Sequence, residues 1–119
     1  MSHVTTVQTE IKDKTALMTV CKQLGLDLKT GKHTVTLFSG KVDCEFSIHL
    51  PGWRYRCAVL ADGTISLDNY GGQWGNLGEL NKLKQAYAVE VATKKARSMG
   101  YLVQKKTKQD GTIQLVLSR

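Results

Sequence analysis

The side chains from which catalysis or metal binding could be assembled are few in this 119-residue chain: three histidines, three cysteines and ten carboxylates. The histidines are His3, His33 and His49. No two of them stand at the spacing of a metal-binding helix, and none has a cysteine at zinc-ligand spacing. His49 falls on the polar side of an alternating segment and reads as a solvated strand residue. A histidine third in a chain can chelate copper or nickel through the terminal amine, so His3 is a weak signal of that kind. Cys21, Cys44 and Cys57 form no Cys-x-x-Cys pair. Each sits at an apolar position, where a free thiol behaves as a small hydrophobe. Asp43 and Glu45 share one strand face and would lie beside Arg54 and Arg56 if the Pro51-Gly52 turn were tight. That arrangement predicts a cross-strand ion-pair ladder in preference to an acid/base pair. Gly71-Gly72-Gln73-Trp74-Gly75 precedes a helix, as phosphate-binding loops do. It lacks the lysine and hydroxyl of a P-loop, so it reads as a turn that places Trp74 over an edge of the core. The chain is therefore expected to hold no metal, to need no cofactor and to be no enzyme.

Charge is the more informative feature. Lys82, Lys84, Lys94, Lys95, Arg97, Lys105, Lys106 and Lys108 lie in one window whose only acid is Glu90. The window carries the whole formal excess of +7, and the remainder is neutral. Lys94, Lys95 and Arg97 also suit the negative end of a helix dipole, which explains part of the cluster without a ligand. The rest predicts a basic face that contacts nucleic acid through its phosphates, or an acidic partner. A second reading is a protein-interaction or assembly subunit, a homo-oligomer or, if virus-encoded, a factor that occupies a host protein, docking through strand edges and the loops around Trp53 and Trp74.

Periodicity supplies the elements that position these groups. Residues 3–12, rich in threonine and valine, read as a strand. Asp13 offers an N-cap, and Leu17, Val20, Cys21 and Leu24 recur at helical spacing up to Gly25, so a helix spans about 14–24. A short strand runs from His33 to Phe38. Val42, Cys44, Phe46, Ile48 and Leu50 then alternate with polar residues in the clearest strand of the chain. After Pro51-Gly52, Trp53, Tyr55, Cys57 and Val59 alternate in the next. A two-residue Asp62-Gly63 loop would put the following apolar residues on the wrong face. A three-residue loop, Ala61-Asp62-Gly63 with Gly63 left-handed, pairs Val59 with Ile65 and Cys57 with Leu67. Asn76 and Glu79 resemble a capping box for a helix of about 77–99 carrying Leu80, Leu83, Tyr87 and Val91. Strands at 101–107 and 112–118 follow, joined at Asp110-Gly111. Asp-Gly-Thr-Ile occurs at 62–65 and at 110–113, read as one good turn used twice.

The predicted fold is thus a single α+β domain, 1–119, in the order β-α-β-β-β-β-α-β-β. Its sheet is largely antiparallel, with both helices on one face. The opening residues show no signal-peptide pattern, and nothing approaches a membrane-spanning run, so a cytoplasmic protein is expected.

The opening Met1-Ser2-His3, Ile11-Lys12, Leu24-Gly25, Tyr87-Ala88, Gly100-Tyr101 and the closing Asp110–Arg119 resemble the family of hypothetical chloroplast reading frame thirty-five. That family is found in plastids, cyanobacteria and some bacterial viruses. The two ends carry the resemblance, while residues 29–75 depart from it. The resemblance implies an accessory protein, sometimes encoded near an ATPase of the AAA class, and a plastid stroma location if plastid-encoded. It implies no catalytic residue.

Overall fold

The computed structural model describes residues 4–7, 10–38, 40–109 and 113–118. The elements, in chain order, are β1 (Val4–Val7), α1 (Lys14–Leu24), β2 (Asp27–Leu37), β3 (Gly40–His49), β4 (Cys57–Val59), β5 (Ile65–Asp68), α2 (Leu77–Ser98), β6 (Leu102–Thr107) and β7 (Ile113–Ser118). β1 to β5 form one antiparallel sheet in the spatial order β1-β5-β4-β3-β2, and β6 and β7 form a separate two-stranded ribbon. The expected α+β order is observed. No helix among the described residues is long and apolar enough to cross a membrane.

Local chemistry sets the ends of α1. The Asp13 carboxylate accepts the Ala16 N–H, and Gly25 closes the helix at φ 68°, where a side chain would be strained. Ala16, Leu17, Val20 and Cys21 of α1 meet Leu80, Leu83 and Tyr87 of α2 over Ile48, Cys57, Val59, Ile65 and Leu67 of the sheet. Both helices therefore cover one face, as the pattern predicts. The turn at Ala61-Asp62-Gly63 also follows expectation. Val59 pairs with Ile65, Leu60 N–H donates to Thr64, and Gly63 sits at φ 89°.

Two expectations are corrected. β2 begins at Asp27 rather than His33, because its polar first half is held by backbone pairing with β3 and not by burial. The Pro51-Gly52 turn closes through Trp53 N–H to Leu50 O, but the strand does not resume until Cys57. Ile48 consequently pairs with Cys57, and the Asp43/Glu45 ladder against Arg54/Arg56 does not form. Arg56 reaches Asp27 at 2.9 Å and Ser47 instead, while Asp43 accepts the Thr34 hydroxyl. Residues 3, 8–9 and 110–112 lie outside the described residues, so the His3 signal, part of the first strand and the Asp110-Gly111 turn do too.

The opposite face of the sheet is closed by its own longest hairpin. Ser47, Ala58 and Ser66 form a buried cross-strand row on that face, small enough to admit a second layer. β2 carries a bulge between Thr30 and His33, which bends a ribbon. Beyond it, Val35, Leu37 and Cys44 pack with Ala58 in a second apolar cluster. The hairpin end is pinned across the sheet by Phe38 N–H donating to the buried Asp68 carboxylate at 3.2 Å.

Candidate binding surfaces

The eight predicted cations do not form one patch. Successive residues turn about 100° around a helix, so Lys82 and Lys84 lie on nearly opposite sides of α2. Lys105 and Lys106, neighbours on β6, face opposite sides of the ribbon. Three of the eight are held by acids. Lys82 pairs with Glu79 at 3.3 Å, Lys105 with Glu90 at 3.9 Å, and Lys94 with Asp13 at 2.8 Å. Glu79 is thereby turned toward Lys82, and the α2 cap rests on Asn76 Oδ1 accepting the Gly78 N–H. The other five cations have no ion pair among the described residues: Lys84 is half-buried in the first half of α2, and Lys95, Arg97, Lys106 and Lys108 are exposed.

Lys94 has a structural task. Asp13 caps α1, donates its N–H to the Tyr87 hydroxyl of α2, and accepts Lys94 Nζ on its second oxygen. One residue thus ties the two helices. The Lys94 hydrogen bond, followed by the Ala16 N–H, holds the Asp13 carboxyl below its ordinary range. A depressed folded pKa means that the stabilisation is complete above the unfolded value of 3.8 and is lost as pH falls through the folded value. Asp13→Asn keeps the cap acceptor but not the charge. It is expected to lower stability by under ~1 kcal/mol at pH 7, and urea melts in a series of falling pH should show the difference shrinking below pH 3.8.

Those four free cations sit on an arm. The last turns of α2 and the β6–β7 ribbon project from the body, and the molecule measures 52 × 32 × 23 Å. Its radius of gyration is 15.4 Å, against ~13.5 Å for a compact chain of this length. Leu102, at 70% exposed, and Leu117 show how little of the ribbon is covered.

At the other end of α2, about 30 Å away by helical rise, the structure assembles a cluster not visible in the sequence. Trp74 stacks on Tyr70 at 4.7 Å, and meets Phe38 at 5.4 Å and Tyr55 at 5.6 Å between ring centroids. The Arg54 guanidinium lies 5.1 Å from the Trp74 ring centre. Phe38 is 57% exposed. Trp53, expected beside Trp74 as an interaction residue, is withdrawn from that role. It is 3% exposed and donates its indole N–H to Asn76 O in the core.

A third feature lies where the β2–β3 ribbon bends. A cavity of about 530 Å³ opens there, floored by Phe46, Val59 and Leu60. His33 and Cys44 line it, together with the charged side chains of Lys14, Lys32, Asp43 and Glu45. The His33 Nε2 lies 2.7 Å from the Ser47 hydroxyl and 3.5 Å from Cys44 Sγ, and Nδ1 faces Gly31 O. The carbonyl can only accept, so Nδ1 carries hydrogen. In the neutral ring Nε2 is then the acceptor. No signal in the sequence linked these residues, because the bulge in β2 sets His33 opposite Cys44. All three thiols are buried, as expected, and burial pushes Cys21 up to about 11, Cys57 up to about 12, and Cys44 upward.

Among the described residues no group of three or more histidine, cysteine and carboxylate side chains could hold a metal ion. No family model, curated protein or solved structure matches the chain.

Proposed function

We propose that this chain is a non-enzymatic binding module that grips nucleic acid through the arm formed by the end of α2 and the β6–β7 ribbon. One observation carries the reading: of the five window cations with no ion pair among the described residues, four, Lys95, Arg97, Lys106 and Lys108, stand exposed on that projecting arm, and only the half-buried Lys84 lies off it. A two-stranded ribbon is narrow enough for the major groove of a duplex, with flanking cations on the phosphates. The stacking aromatics lie at the far end of α2, so the contact is to backbone and is indifferent to sequence.

The test is fluorescence anisotropy with a mixed-sequence duplex across a salt series. Replacing Lys95, Arg97, Lys106 and Lys108 by glutamine is expected to flatten the log–log salt slope by about 3 to 4, at ~0.9 per phosphate contact. The melting temperature should fall only slightly, since these side chains give up no ion pair among the described residues and Lys95 and Arg97 lose only a solvent-screened contact with the α2 dipole. Lys82→Gln, at the other end of α2, should leave the slope alone. An unchanged slope in the fourfold variant, or binding indifferent to salt, sinks the proposal.

A second reading is favoured by the aromatic cluster. Phe38, Tyr55, Tyr70 and Trp74 with Arg54 have the composition of a protein-docking hot spot. It fits the accessory role that the family resemblance implies. If a protein partner is captured, Phe38→Ala should abolish capture while the fourfold glutamine variant retains it.

A further inference from the structure

We propose that Cys44 is a thiol–disulfide exchange site, and that the cavity beside it admits a small zwitterionic disulfide of the amino-acid or peptide type. Four observations carry this. Cys44 lines a cavity within the size range of small-ligand sites. His33 Nε2, the acceptor nitrogen of the neutral ring, stands 3.5 Å from its sulfur. The lining carries two cations, Lys14 and Lys32, and two anions, Asp43 and Glu45, so a ligand bearing both signs can pair with each where a ligand of one sign pairs with half of them. Cys21 and Cys57, each 1% exposed, sit in the main core, which leaves Cys44, buried at 9% exposed but lining the cavity, as the least enclosed of the three thiols.

Burial keeps the Cys44 thiol protonated near neutral pH, so attack needs a base. His33 supplies it. Its Nε2 takes the thiol proton while Sγ attacks one sulfur of the disulfide. The S–S bond breaks, Cys44 is oxidised into a mixed disulfide, and the other sulfur leaves reduced, taking the proton from the imidazolium. Ser47 steadies the ring after the transfer. At rest its hydroxyl donates to the Nε2 lone pair, so it rotates off before Nε2 takes the thiol proton, and its oxygen then accepts from Nε2–H while Arg56 Nε continues to donate to it at 2.9 Å. His33 and Ser47 are positioning and proton-carrying residues. Only Cys44 forms a bond.

The native protein would be incubated with glutathione disulfide and mapped by peptide mass spectrometry. Cys44 is expected to carry the adduct at a rate on the order of a hundredfold above Cys21 and Cys57, whose modification waits on opening of the core. Modification of all three at one rate, or none at Cys44 while urea-unfolded protein reacts fully, overturns the proposal. His33→Asn should slow the native reaction by about tenfold or more and abolish its solvent deuterium isotope effect, while the urea-unfolded variant reacts like unfolded wild type. If that variant does not fold, the contrast between the three thiols in the wild type still decides. For the ligand class, glutathione disulfide is compared with uncharged hydroxyethyl disulfide, each rate divided by that of the same reagent with unfolded protein. A larger ratio for glutathione disulfide is expected. An equal or smaller one overturns the zwitterion assignment.

Discussion

Gly75→Ala is expected to destabilise the protein by about 3 kcal/mol, at the upper end of ordinary overpacking. An added Cβ at this position would stand 2.3 Å from Trp53 Cδ2 and 2.6 Å from two further ring atoms. Such overlap is relieved only if the indole moves. It is not free to do so: its N–H donates to Asn76 O at 3.1 Å, and the next residue, Arg54, donates its N–H to Trp74 O at 2.7 Å. The two segments, 53–54 and 74–76, are laced together across the methyl's position. A urea titration should show a lower midpoint with little change of slope, because the surface exposed on unfolding is the same. A wild-type midpoint would mean that the indole does not rest on Gly75.

Trp53→Ala should cost about 3–5 kcal/mol, the range for removing a buried aromatic. The ring belongs to the main core, and its loss also leaves the Asn76 carbonyl without its indole partner. The two substitutions are coupled. In the Trp53→Ala background the Gly75 methyl enters the vacated space, so Gly75→Ala should then cost almost nothing. The double-mutant cycle measures this directly as an interaction energy of about the size of the single Gly75 penalty. Additive losses would show that the two residues do not touch. Trp74, only half buried, offers the contrast: its truncation should disturb the aromatic cluster far more than the stability.

Features governed by neighbours in sequence were legible in advance. Asp13, the apolar stripe from Leu17 to Leu24, and Gly25 mark α1 to the residue, because caps and helical period act within a few positions. The three-residue turn at Gly63 followed from requiring Val59 and Ile65 to share a face. Alternation from Val42 to Leu50 marked β3. The basic window was legible as composition, and the lack of helical or zinc-type spacing among the histidines was plain.

Tertiary structure decided the rest, for reasons that composition and period do not encode. The polar first half of β2 became a strand because β3 offered it backbone partners. The irregular stretch from Trp53 to Arg56 shifted the β3–β4 register away from a tight hairpin and sent Arg56 to Asp27. One extra residue in β2 bent the long ribbon over the small row Ser47-Ala58-Ser66. That bend carried Phe38 to Asp68 and Trp74, and set His33 against Cys44 and Ser47. Lys94 met Asp13 across 81 positions of sequence. Order along the chain sets which elements form and how much charge they carry. Which side chains meet was settled by loop length, bulge and curl, because a single residue inserted in a strand turns every later side chain to the other face.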